Sequence, residues 1–398
     1  MSDFCLSSSD IAECISDLIA RNKLWLHKKV NLHFIINHEA GCFTNKKLSE
    51  KYQQIFLKAK EDALKTKQCV SDIKYKIYET EYKGHAIEFT KSIINKLSEI
   101  KLDIKTLKSQ IENIIVTAGG DGTCLEVQST LYNENLKAEI ENKNKQKIIN
   151  KLAILRLPLG TGNDGTDGHT IQETIQMLKN GLVYSNSKVL AAYTENDPEE
   201  ELIIKSHKFI SKYCDIKAKS PWYSFNIASV GLDAFVNFVT NLVKSKFPGN
   251  LYHLCVPISG LFYSRIFKTG NTKIELFANK EDEQPSNTFE GKIYLTAMGA
   301  SGYRTYGGGQ KVLPNFNNVC IAEKVSLLRL IKDNHKFVDG THINSDIGNM
   351  FCADKIKIYH DQPLMLQCDG ECYLLCKNHF PLIIEKRDSG FKTLKTID

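Results

Sequence analysis

Residues 113–123 read Asn-Ile-Ile-Val-Thr-Ala-Gly-Gly-Asp-Gly-Thr. The run 113–117 predicts a buried strand, and 123–133 predicts the helix after it. Between them, three glycines let the backbone turn sharply and come close to a bulky anion. Unpaired N–H groups at the start of the next helix point at that anion. Asp121 would be repelled by a phosphate unless a divalent cation stood between them, so its carboxylate implies Mg²⁺. Thr123 can cap the helix or bind a phosphate oxygen. The plainer alternative is a tight turn that holds no ligand, but the strand before and the helix after supply the context such a motif requires. No Walker-type G-x-x-x-x-G-K-[ST] occurs, and the first strand lacks a G-x-G-x-x-G.

Working outward, strands are predicted at 30–37, 74–80 and 152–157, and helices at 46–65, 85–99 and 170–180. Strands alternating with helices give a parallel sheet covered on both faces. Residues 9–29 read as an amphipathic helix, with Ile11, Cys14, Ile15, Leu18 and Ile19 at helical spacing and Asp10 as its cap. This is an N-terminal extension packed on the first domain. Residues 134–151, rich in Lys, Glu, Asn and Gln, read as an exposed insertion. A second glycine loop follows the fourth strand, Leu157-Pro-Leu-Gly-Thr-Gly-Asn-Asp164. In a parallel sheet both loops sit at the carboxyl ends of strands, where ligands bind. Together they can hold the phosphates of a nucleotide.

From Val189 the pattern changes to short alternating runs at 224–228, 273–277, 291–297, 355–359 and 364–368. These predict an antiparallel sheet or sandwich, interrupted by a mainly helical stretch at 233–267. The domain boundary falls near Lys188. Residues 368–372, Cys-Asp-Gly-Glu-Cys, read as strand. That places Asp369 and Glu371 on one face and Cys368 and Cys372 on the other. Gly370 leaves room for a substrate or a bulge. A solvated Asp-Gly hairpin turn is the alternative. Cys376 joins these thiols in core packing, since a strand spaces them too widely to share a metal.

Hydrophobic residues make up 42% and charged residues 25% of the 398, which excludes disorder as an answer for the whole chain. A net charge of +6 is too mild for a nucleic-acid signature, though it favours approach to an anionic membrane. The 12 cysteines form no paired Cys-x-x-Cys set, and the polar start does not read as a signal peptide. Reduced thiols in a cytoplasm are the expectation. The densest apolar run, 251–267, is interrupted by His253, Pro257 and Arg265. It is expected to be a buried helix rather than a transmembrane span or a membrane-docking segment.

The ordered set of motifs resembles the diacylglycerol kinase catalytic-domain family, which includes soluble bacterial-type lipid kinases and is related to the sphingosine and ceramide kinases. The resemblance rests on Ala118-Gly-Gly-Asp-Gly-Thr123 with Glu126 and Val127, and on Pro158-Leu-Gly-Thr-Gly-Asn-Asp164. It extends to residues 37–41 (Asn-His-Glu-Ala-Gly), Glu79-Thr80 with Gly84-His85-Ala86, and Asn226 with Gly231, Asp233 and Ala234. Gly307-Gly308-Gly309 with Pro314 and the late Asp369-Gly370-Glu371 complete it. It implies an NAD-kinase-like parallel α/β domain over 30–188, after the extension 1–29. An antiparallel β-sandwich domain follows over 189–398, its last segment returning to the first domain.

The resemblance further implies ATP and Mg²⁺. Asn37, Gly41, Thr80, Gly119, Gly120, Asp121, Gly122, Thr123, Glu126, Gly160, Thr161, Gly162 and Asn163 would contact the nucleotide. Asp121 and Asp164 would organise Mg²⁺. Asp369 and Glu371, with Asp121 as the third catalytic carboxylate, would serve the transfer, Glu371 being favoured as the base. The acceptor would be a lipid hydroxyl, diacylglycerol above others, met from the water side by a cytoplasmic enzyme at the membrane periphery. No nucleic acid is implied, and a homodimer is compatible. The chain departs from the family at His38 for proline, at Ala40 for serine, and at Gly165-Thr166-Asp167-Gly168. Asn317-Asn318-Val319-Cys320 lacks an acidic residue, so a separate structural Mg²⁺ site there is not implied. The competing readings are an NAD kinase, a kinase of another lipid such as a sphingoid base, and a nucleotide-binding regulator that no longer catalyses.

Overall fold

The computed structural model describes residues 6–66, 68–99, 111–160, 163, 164, 168, 170–244, 252–307 and 309–396. The chain divides into two compact units, Met1–Ser187 with Asp388–Asp398, and Lys188–Arg387.

Unit 1 runs α1 (Ser8–Ala20), β1 (Lys29–Asn37), α2 (Gly41–Thr44), α3 (Lys46–Thr66), β2 (Asp72–Thr80), α4 (His85–Glu99), β3 (Ile111–Gly119), α5 (Asp121–Glu141), α6 (Lys143–Ile149), β4 (Ala153–Pro158) and α7 (Ile171–Lys179). Its strands lie parallel in the order β2-β1-β3-β4. Ile114, Ile115, Val116 and Ala118 of β3 are all buried, as a central strand covered on both faces requires. Ile11, Ile15 and Ile19 of α1 enter the same core as Leu32, Phe34 and Leu157. Ser7, not Asp10, caps α1. The Ser7 hydroxyl accepts from the Asp10 N–H at 3.1 Å, and the Asp10 carboxylate accepts from the Ser7 N–H at 3.2 Å, a reciprocal box. The expected helix over 9–29 is therefore shorter. It ends at Ala20, and a 3₁₀ turn, Lys23–Trp25, buries Trp25 before β1.

The stretch 134–151 is not an exposed insertion. It forms the end of α5 and all of α6, and it buries Glu134, Asn135, Ala138 and Ile149. Lys, Glu and Gln are good helix formers, so a polar composition does not argue against a helix. Glu134 is held by Lys145 at 2.6 Å and Lys137 at 3.5 Å, and these ion pairs keep its carboxyl below the ordinary carboxylate value against the opposing effect of desolvation.

β5 (Leu182–Thr194) leads into unit 2. There follow α8 (Glu200–Ser206), β6 (Trp222–Ser224), β7 (Ile227–Gly231), α9 (Leu232–Lys244), α10 (Tyr252–Ile266), β8 (Thr272–Phe277), β9 (Asn287–Gly291) and β10 (Ile293–Gly299). Then come β11 (Arg304–Tyr306), β12 (Gln310–Leu313), β13 (Val319–Glu323), α11 (Leu327–Asp339), β14 (Gly348–Phe351), β15 (Lys355–His360), β16 (Leu364–Cys368), β17 (Glu371–Leu375) and β18 (Leu382–Thr396). β18 pairs with β15 through Leu382–Glu385, and its later residues Lys392 and Thr393 pair with β4 in unit 1. Six strands form an antiparallel sheet in the order β14-β13-β10-β7-β16-β17. One of its faces packs Val230, Met298, Ile321 and Leu366 against Ile274, Ile356 and Ile384 of the other antiparallel strands. Its other face carries α9, α10 and α11 through Ala297, Ala322, Phe235, Tyr263 and Phe337. The expected strand at 224–228 is two strands broken at Phe225 and Asn226, and that break proves to matter.

Gly231 ends β7 with φ +100°, and a Cβ there would lie 2.3 Å from the Tyr294 carbonyl oxygen. Both the left-handed backbone and the close approach demand glycine. Gly231→Ala should lower the unfolding free energy by about 2 kcal/mol or more, read by urea denaturation of the whole chain.

Candidate functional site

β3 and β4 are neighbours, with Gly119 opposite Pro158, so the two glycine turns leave the sheet side by side. They touch backbone to backbone. A Cβ on Gly160 would lie 2.4 Å from the Gly120 Cα, and one on Gly119 would lie 2.8 Å from the Thr123 hydroxyl. Asn163 locks the second turn. Its amide oxygen accepts from the Gly160 N–H and its amide nitrogen donates to the Gly160 carbonyl, both at 2.9 Å, with Asn163 itself at φ +60°. Asparagine tolerates that conformation better than most residues. Gly120 stands at the N-cap of α5 and brings no side chain to cap it. The first N–H groups of a 21-residue helix thus open beside the second turn.

The remaining unit 1 candidates gather around this point. Asn37 and Thr80 are opposed at the ends of β1 and β2. The Asn37 amide donates to the Thr123 hydroxyl at 3.1 Å, and its oxygen accepts from the Glu39 N–H at 2.9 Å. Gly41 opens α2, and the next N–H, of Cys42, donates to the Leu159 carbonyl at 3.0 Å, which ties the first loop to the second glycine turn. Glu126 accepts from the Gly84 N–H at 2.9 Å, so it positions the loop after β2. His38, which replaces the family proline, bonds Glu79 at 3.1 Å, and the Ser8 hydroxyl donates to the same Glu79 oxygen at 2.6 Å. These bonds hold the Glu79 carboxyl below its ordinary value. The sequence hid this anchor, because Ser8, His38 and Glu79 belong to three separate elements and match no motif. Thr161, Gly162, the loop residues 165–167 and Gly308 lie outside the described residues.

Asp121 begins α5 and Asp164 follows Asn163 in the second turn, both half-buried. Hard carboxylate oxygens beside the uncapped start of a helix fit Mg²⁺, which takes one or two carboxylates and completes its shell with phosphate and water. Among the described residues no group of three or more His, Cys, Asp or Glu could hold a metal by itself.

In unit 2 the late acidic motif is a hairpin, not a continuous strand. Cys368 closes β16 and Glu371 opens β17 directly opposite it. Asp369 and Gly370 turn between them at φ +47° and +96°. Asp-Gly favours this left-handed pair, which matches the twist of the flanking strands. Cys368 and Cys372 consequently face opposite sides of the sheet, the first in the sandwich core and the second toward α9.

The turn is clamped on every side. The Asp369 carboxylate accepts from the Phe225 N–H and the Ser224 hydroxyl at 2.6 Å, and from the N–H groups of Asn226 and Ile227 at 3.1 Å. The break between β6 and β7 supplies these donors. Asn237 and Asn241 of α9 both donate to the Gly370 carbonyl at 2.9 Å. Burial pushes the Asp369 carboxyl above its ordinary value, and the four donors pull against that. Such a carboxylate is occupied in holding the hairpin. Glu371, one residue on, is exposed.

Unit 2 also encloses a cavity of about 310 Å³ beneath α9, α10 and α11. Val236, Val256, Leu295, Phe337 and Ile347 line it, with Asp233 among the few polar groups. The Asp233 carboxylate accepts from the Ser229 hydroxyl at 2.6 Å.

The contact between the glycine turns can be probed directly. Gly160→Ala should destabilise the fold by about 1–3 kcal/mol in urea denaturation, because a methyl there collides with backbone. Gly122→Ala, inside α5 with nothing within 4 Å of its Cβ, should be neutral or stabilising in the same measurement.

Comparison with known proteins bears on the fold that carries these residues. Residues 31–188 match the sequence profile of the diacylglycerol kinase catalytic domain. Two solved structures, each of a candidate diacylglycerol kinase from Bacillus anthracis str. Sterne, share the fold. One has 17% identity and a TM-score of 0.52, covering 91% of this chain and 96% of that one. The other has 17% identity and a TM-score of 0.50, covering 92% and 97%. No curated protein matches the chain. The match to the diacylglycerol kinase catalytic domain spans the parallel-sheet unit that carries both glycine turns.

Proposed function

We propose that this chain is an ATP-dependent lipid kinase that transfers the γ-phosphate to the hydroxyl of a membrane lipid, diacylglycerol giving phosphatidate being the favoured reaction. The observation that carries the reading is the contact of Gly120 with Gly160. It brings the backbones of the two glycine turns together beside the uncapped start of α5. Phosphoryl transfer asks mainly for positioning and charge stabilisation, plus an acceptor for the hydroxyl proton. Backbone N–H groups at the start of α5 would hold phosphate oxygens, and the Asn37–Thr123 bond fixes the side chains beside them. Mg²⁺, held through Asp121 and Asp164, would neutralise charge on the phosphates. Glu371 would accept the proton, and Asp369 would hold the hairpin that presents it. The apolar cavity of unit 2 suits an acyl chain better than a nicotinamide nucleotide or a sugar, and this favours a lipid acceptor. The reading places the protein in the cytoplasm, peripheral at a membrane.

The test is turnover of purified protein with Mg²⁺, labelled ATP and a panel of lipids in mixed micelles. Label in phosphatidate supports the reading, while label in NADP from added NAD with none in lipid overturns it. Glu371→Ala should cut kcat by about 10²–10⁴-fold with an unchanged melting temperature, since its side chain is exposed. Asp369→Ala should lose activity and about 2 kcal/mol or more of stability together, because it strands buried donors. Unchanged turnover in Glu371→Ala removes that residue from the chemistry.

A further inference from the structure

α10 and α11 pack together on the outside of unit 2, and a Cβ on Gly260 would sit 3.4 Å from the Leu330 side chain. Each presents large apolar residues to solvent at helical spacing. On α10 these are Ile258, Leu261 and Phe262. On α11 they are Leu328, 82% exposed, and Ile331. Among the described side chains of this run, Cys255, Ser259, Tyr263 and Phe267 are buried, while Ile258, Leu261 and Phe262 face outward. One turn further along each stripe the character changes. Arg265 and then Lys268 follow on the α10 side, and Lys332 and then His335 follow on α11, all exposed. Of the acidic residues on α11, Asp333 is buried and paired with Lys336 at 3.0 Å and Arg329 at 3.4 Å, and Asp339 is the final residue of the helix. An apolar stripe that ends in basic groups matches a lipid interface. The apolar part enters the acyl boundary, and the cations meet headgroup phosphates.

We infer that the joint outer face of α10 and α11 docks on an anionic phospholipid surface. Two features favour a membrane over a second copy of the chain. The basic ends lie on the same stripes as the apolar residues, with no opposing acidic stripe on either helix for a twofold partner to use. The same two helices, through Val256, Gly260, Leu330 and Ile331, also wall the cavity, so the docked face puts that cavity against the lipid. The inference deepens the lipid-kinase reading and rests on it for the purpose of docking, not for whether docking occurs.

The experiment is flotation of the full chain with vesicles of phosphatidylcholine, with and without phosphatidylserine, for wild type and the double variant Leu261→Glu with Phe262→Glu. Both residues are exposed and neither lines the cavity, so the variant should keep its melting temperature. Wild type should float with the anionic vesicles, more weakly with phosphatidylcholine alone, and less as salt rises. The variant should lose about tenfold or more in partitioning. Its turnover of long-chain diacylglycerol in vesicles should fall alongside, with turnover of a short-chain, water-soluble diacylglycerol unchanged. Equal flotation of variant and wild type, absence of wild-type flotation, or a variant that loses only self-association in sedimentation each overturns the inference. Flotation through this face without turnover of either lipid would instead sink the kinase reading and leave the docking face standing.

Discussion

Two parallel strands can offer their ends to one phosphate group only if the turns beyond them carry nothing between backbone and ligand. That constraint is met where Gly160 lies against Gly120, too close for a methyl group on the former. Much else in unit 1 follows from it. β3 and β4 must be direct neighbours, and β4 must be short enough to turn at Leu159. Asn163 must take a left-handed backbone and bond back to Gly160 from both ends of its amide. With no side-chain cap on α5, the first N–H groups and the dipole of the helix favour an anion at its start.

Unit 2 solves a different problem with the opposite means. A hairpin turn is a mobile place for a catalytic carboxylate unless it is held. Here Asp369 is spent on the holding. It collects donors from Ser224, Phe225, Asn226 and Ile227, and the two asparagines of α9 take the Gly370 carbonyl. The break between β6 and β7 exists to turn those N–H groups toward it. A buried carboxylate with four donors and an exposed one two residues on sit in very unlike surroundings. The anchor fixes the geometry of the hairpin, and the residue after the turn, Glu371, is exposed.

Sequence alone showed the alternation of unit 1, the two glycine turns, the change to antiparallel strands after Val189 and the resemblance to the diacylglycerol kinase catalytic domain. Those features are local or periodic, and short windows carry them. What it missed is non-local or composition-blind. The Ser8–His38–Glu79 anchor joins residues 30 and 71 positions apart. The stretch 134–151 looked like solvent-exposed loop because its residues are polar, yet helix propensity and the Glu134–Lys145 pair make it helical. Asp369 and Glu371 were placed on one strand face by counting in twos. The turn preference of Asp-Gly, visible in the same residues, overrode that period and sent Cys368 and Cys372 to opposite faces.

The run 251–267 shows the limit of reading burial from hydrophobicity. A helix apolar on all sides gives no indication of which side faces inward, and burial is the usual fate of such a run in a globular protein. α10 lies on one face of a sheet, with α11 beside it, and only part of its circumference can be covered from those directions. Cys255 and Tyr263 take the covered side. Ile258, Leu261 and Phe262 are left over, and the exposed residues of α11 extend them instead of screening them. Folding gains nothing from holding these side chains in water. Their place on two adjoining helices, each followed by basic residues, is the pattern on which the inferred docking face rests.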